Sequence, residues 1–81
     1  MDQNTTVFTP VKEESKRVKE IMDEVVLALK DKGYEPVSQI IGYILSGDPT
    51  YITSHKDARA LICKIERDDL LEEMIKKYLD V

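Results

Sequence analysis

Gly42-Tyr43-Ile44-Leu45-Ser46-Gly47-Asp48-Pro49-Thr50-Tyr51 reads as a helix, a sharp stop and an immediate restart. Gly47 supplies left-handed backbone at little cost, because it has no Cβ to collide with a neighbouring carbonyl. Asp48 can accept bonds from the free N–H groups of the next turn. Pro49 fits the first position of that turn, where no N–H is needed. Tyr43 and Tyr51 flank the corner. Ser46, Gly47, Asp48 and Pro49 are thus explained as stop, cap and restart. The corner is no phosphate loop either, since no Gly-Lys-Ser/Thr is present and Gly42 and Gly47 are too far apart.

Working outward, the helix ahead of the corner starts at Pro36 and carries Val37, Ile40, Ile41, Ile44 and Leu45 at helical spacing. This apolar density predicts the most buried helix of the domain. Gly42 inside it costs about 1 kcal/mol relative to Ala, which points to close approach of another backbone. Upstream, Gly33 ends a first helix, and Tyr34-Glu35-Pro36 is the connector. That helix begins between Val11 and Ser15, with Val18, Ile21, Met22, Val25, Val26 and Leu29 as its stripe. Downstream, Ser54-His55-Lys56-Asp57 is a loose capping box opening a third helix, with Ala58, Leu61, Ile62 and Ile65 as its stripe. A fourth helix restarts near Asp69 and carries Leu70, Leu71, Met74, Ile75, Tyr78 and Leu79.

No segment alternates as a strand does. The expected fold is all-α: a small helical domain over residues 11–81, with about four main helices and a short helical turn after Gly47. Residues 1–10 are aperiodic and polar and read as a flexible N-terminal tail.

The chain has 81 residues and a net charge of −4. A domain of this size buries only about 60% of its unfolded surface. One cysteine, Cys63, and one histidine, His55, offer neither an intrachain disulfide nor a zinc cluster. Self-association is therefore a reasonable way to gain core. The acidic balance argues against nonspecific binding to nucleic acid. No apolar run approaches the length of a membrane span or a signal peptide. A free thiol without a targeting segment fits the cytoplasm.

Candidate chemistry is sparse. A His55 base needs an orienting partner, and Asp48 or Asp57 is available by sequence; the plainer reading is a polar residue in the first turn after Ser54. Cys63 falls mid-helix beside Ile62 and reads as a small packing residue. Asp48, Asp57, Asp68 and Asp69 lack the spacing of a calcium loop. Helix, tight turn and helix also suggest a helix-turn-helix module, with Lys56, Arg59, Lys64 and Arg67 as its basic face. Pairing of those cations with Asp57, Glu66, Asp68 and Asp69 is the competing account. Tyr43 falls off the stripe of its helix and reads as core, with a dimer interface as the alternative. Thr5, Thr6 and Thr9 in the tail are accessible hydroxyls for a kinase, each adding about −1.5 to −2 charge if phosphorylated. Thr9, followed by Pro10, can instead be the N-cap of the first helix.

Asp31-Lys32-Gly33-Tyr34, Pro36, Gln39-Ile40-Ile41-Gly42-Tyr43 and Leu45-Ser46-Gly47-Asp48-Pro49 with Tyr51 form a combined pattern. Ala58-Arg59, Glu66-Arg67-Asp68 and Leu71-Glu72-Glu73 extend it. The pattern resembles the IreB family of small regulatory phosphoproteins of Gram-positive bacteria, over nearly all of residues 18–79. The resemblance implies a noncatalytic, cofactor-free, mainly helical homodimer. It implies phosphorylation of an N-terminal threonine by a membrane-bound Ser/Thr kinase with extracellular cell-wall-sensing modules. It further implies a negative regulator in envelope-stress and cephalosporin-resistance signalling, acting on an unidentified downstream protein. Thr6-Val7-Phe8 matches the family's tail best, so Thr6 is the first choice and Thr5 the second. One residue is missing between threonine and phenylalanine, and the family's upstream threonine has no clear equivalent. Cys63 stands where relatives often carry a basic residue, so no general redox role follows.

Overall fold

A computed structural model describes residues 8–81, with side-chain surroundings from residue 14 onward. The order is α1 (Phe8–Asp31), α2 (Pro36–Ser46), a 3-10 turn (Pro49–Tyr51), a second 3-10 turn (His55–Asp57), α3 (Ala58–Ile62) and α4 (Arg67–Leu79). The architecture is all-α, with no strand among the described residues. Helix α1 starts ahead of the expected point, and Thr9 lies inside its first turn instead of capping it.

Helix α1 is the spine. Its stripe buries Val18, Ile21, Val25, Ala28 and Leu29, while Met22 and Val26 pack at the edge. The helix ends in a Schellman motif. Gly33 takes φ 80 and donates to the Lys30 carbonyl at 2.9 Å, and the Tyr34 N–H returns to the Leu29 carbonyl at 2.9 Å. Glu35 then caps α2, its carboxylate accepting from the Ser38 amide at 2.9 Å. That cap was missed in the sequence because a glutamate there looks like plain connector.

The core closes with Ile52, Ala58, Ile62, Ile65 and Leu70 against α1. Leu29, Ile52, Ile62 and Leu70 are completely enclosed. Each such side chain contributes about 1.5–3 kcal/mol by leaving water.

Three expectations change. Helix α2 is not the most buried helix: only Ile40 and Tyr43 are buried, whereas Val37, Ile41 and Leu45 are exposed. Its apolar stripe is wider than the core it meets. The third helix does not begin at Ser54. Lys56 and Asp57 both adopt left-handed backbone, at φ 53 and 61, so the predicted capping box is not formed and α3 is five residues long. Helix α4 starts at Arg67, ahead of Asp69, and its Tyr78 is exposed instead of joining the core.

Candidate functional site

The corner after α2 brings together most of the chain's distinctive residues. Gly47, at φ 75, donates to the Tyr43 carbonyl at 2.7 Å and closes the helix. The Ser46 hydroxyl donates to the Gly42 carbonyl at 2.7 Å and accepts from the Asp48 amide at 3.0 Å. Asp48 Oδ1 accepts from the Thr50 hydroxyl at 2.7 Å and the Thr50 amide at 3.0 Å. Those bonds, the hydroxyl first, hold the Asp48 carboxyl below its ordinary range.

Three long side chains then pin the corner from outside, each donating to a main-chain carbonyl. Arg67 Nη1 reaches Ile44 at 2.7 Å, Gln39 Nε2 reaches Tyr51 at 2.8 Å, and Arg59 Nε reaches Ile52 at 2.9 Å. The Ile44 carbonyl is one of the helix-end acceptors that α2 itself cannot satisfy. Arg67 also lies over Gly47: a Cβ there would sit 2.9 Å from the guanidinium carbon. Gly42 is required for a different reason than expected. The Tyr51 ring, not another backbone, fills the space a Cβ would need, with Cζ 2.9 Å away and two further ring atoms nearer.

Tyr43 is a core residue, 5% exposed. Burial, followed by the neighbouring Cys63 thiol, pushes its phenol above the ordinary value. Cys63 does not pack inside a helix: α3 ends at Ile62, leaving Cys63 exposed. His55 pairs with neither Asp48 nor Asp57. Its Nε2 lies 3.4 Å from Asp31 Oδ2, an oxygen that also accepts the Lys56 ammonium at 3.2 Å. Lys56 first, then His55, hold the Asp31 carboxyl low.

The supposed basic face is therefore largely committed internally. Arg59 and Arg67 hold main-chain carbonyls, Lys56 holds Asp31, and none of the three makes the expected surface pair with Asp57, Glu66, Asp68 or Asp69. Among the described residues, no group of three or more His, Cys, Asp or Glu could hold a metal ion. No described helix is long and apolar enough to cross a membrane. Thr5 and Thr6 lie outside the described residues.

Beside the corner, Val37, Ile41 and Leu45 form an open stripe along α2, 62%, 50% and 80% exposed. Leu71, Ile75 and Tyr78 continue exposed apolar surface along α4. Between the two helices, Ile44 and Leu71 line a shallow groove together with Glu66, Arg67 and Asp68. Helix α2 carries no charged residue. This surface was missed in the sequence because i, i+4 spacing looks the same whether the stripe meets its own core or another molecule.

The model of the IreB regulatory phosphoprotein family matches residues 3–80. A UPF0297 protein of Lachnoclostridium phytofermentans is 56% identical over 77 residues, covering 95% of this chain and 88% of the relative. A UPF0297 protein of Acetivibrio thermocellus is 53% identical over 79 residues, covering 98% and 88%.

Proposed function

The chain belongs to the IreB family of regulatory phosphoproteins, and on that premise we propose that it is a noncatalytic, cytoplasmic substrate of a membrane-bound Ser/Thr kinase. The kinase modifies Thr6, or secondarily Thr5, in envelope-stress and cephalosporin-resistance signalling. The protein works as a homodimer and passes the signal to a downstream protein by contact.

The observation that supports a contact-based role is the open apolar surface of α2 and α4. An enzyme spends exposed polar groups on a reacting centre. Here the polar groups of the corner are spent on main-chain carbonyls, while apolar side chains are left to water. Uncovered apolar surface of this kind marks an interaction site. A charge-free helix is suited to lie against its own copy across a two-fold axis, since no like charges are opposed.

Two measurements test the reading separately. Incubation with the kinase domain and ATP, followed by mass spectrometry, is expected to place phosphate on Thr6 or Thr5; modification confined to the helical body would overturn the site assignment. Sedimentation at tens of micromolar is expected to give twice the mass of one chain. Leu45→Lys is expected to return it to 9.3 kDa with helicity unchanged, and a dimer indifferent to Leu45→Lys and Ile75→Lys would place the interface elsewhere.

A further inference from the structure

We propose that residues 54–57 are a two-state element, held as a turn by the Asp31 carboxylate and able to join α3 as an additional helical turn when that carboxylate is withdrawn. The inference is independent of the phosphorylation reading.

Two encodings of this segment conflict. By sequence, Ser54 followed three residues later by Asp57 is a capping box, placing a helix start directly ahead of the Ala58, Leu61 and Ile62 stripe. In the structure Ser54 makes no side-chain cap bond. Lys56 and Asp57 instead stand consecutively at φ 53 and 61, although neither is glycine. Left-handed backbone is unfavourable for residues with a Cβ, and such conformations persist only where the surroundings impose them.

Part of the hold is local: Thr53 Oγ1 accepts from the His55 amide at 3.2 Å, and the Ser54 carbonyl accepts from the Asp57 amide at 3.1 Å. Asp31 closes α1, and its Oδ2 takes Lys56 Nζ at 3.2 Å and faces His55 Nε2 at 3.4 Å. A helix running from Ser54 would set the two side chains about 100° apart around its axis, so they would no longer converge on that one oxygen. The turn therefore exists at the expense of the capping box, and Asp31 supplies its long-range hold. Ser54 and Asp57 also line a shallow groove with Pro49, Arg59, Ala60 and Cys63. Conversion to helix re-aims both residues and remakes the wall of that groove, so the state of the turn reaches the corner.

The test is NMR on the full chain. Asp31→Asn is expected to move Lys56 and Asp57 from left-handed to right-handed backbone, seen in Cα shifts and in new medium-range contacts from Ser54 to Asp57. Retention of the left-handed pair in Asp31→Asn would overturn the proposal. A second readout does not depend on that variant folding. Asp57→Gly, which leaves the Lys56 and His55 contacts to Asp31 in place, is expected to raise Tm by about 4 °C, because glycine relieves the left-handed strain. A fall in Tm would mean this position is already helical, and the proposal would fail.

Discussion

The chain reverses direction twice in quick succession, at Ser46–Pro49 and at Ser54–Asp57, and both reversals use left-handed backbone. At the first, the residue in that conformation is Gly47, and every nearby polar group works in the same direction. Ser46 and Asp48 close local bonds, and Arg67 takes the leftover Ile44 carbonyl. At the second, a lysine and an aspartate occupy left-handed backbone, the Ser54 side-chain cap is unused, and Asp31 on another helix adds to the local bonds of Thr53 and Ser54. One corner is written locally and reinforced from afar. The other runs against the capping preference of its own sequence and draws part of its hold from afar. The same dihedral region thus carries opposite meanings at the two sites, and substitution should separate them.

The largest effect is expected where the two corners share an anchor. Ile52 lies between them and is completely buried. Ile52→Ala should cost about 3–4 kcal/mol in urea unfolding, since both reversals lean on it. A cost under about 1 kcal/mol would mean the corners are anchored separately.

Next comes the sign contrast. Gly47→Ala should cost about 2 kcal/mol, from left-handed strain and from displacing Arg67. Glycine at Asp57, φ 61, should act in the opposite direction. Equal signs at the two sites would break the comparison.

Smaller still is the Gly42 and Tyr51 pair. In the native chain Gly42→Ala must push the Tyr51 ring aside. In a Tyr51→Ala background the same change should stabilise by about 1 kcal/mol, which is the ordinary helix preference for alanine over glycine. A double-mutant cycle measures the coupling.

The smallest effect is that of pH. Asp48 and Asp31 both have carboxyls held below the ordinary value of 3.8. The folded chain therefore releases these protons more readily than the unfolded chain. The stabilisation is complete above that value and is lost as pH falls through the lower folded values. Asp69 works oppositely: burial and then Asp68 raise its carboxyl, so its ionisation opposes folding as pH rises through 3.8 and above. Acid titrations of Asp48→Asn and Asp31→Asn should each show a shallower loss of stability below about pH 4 than the parent chain.

Much of the helical layout was legible because its signals are short-range. The Gly33 and Gly47 stops, Pro36 at a helix start and the α1 stripe each depend on residues within one or two turns of one another. The same locality explains the failures. A stripe such as Val37, Ile41 and Leu45 states that a helix is amphipathic, but not whether its apolar side meets its own core. Cys63 reads as mid-helix only if α3 is taken to run from Ser54 through Ile65. Arg59 and Arg67 read as a basic face only while the carbonyls of Ile52 and Ile44 are out of view.

The sequence alone determined the helical class, the stop-and-restart corner and the family pattern, because backbone sterics and capping are settled by neighbouring residues. Tertiary structure alone decided that Arg67, Gln39 and Arg59 lock that corner, that Tyr51 is the reason for Gly42, and that His55 and Lys56 face Asp31 where a helix start was expected at Ser54. It also decided which half of the α2 stripe stays open. Those outcomes depend on groups brought together from distant parts of the chain, and no local rule weighs one such contact against another.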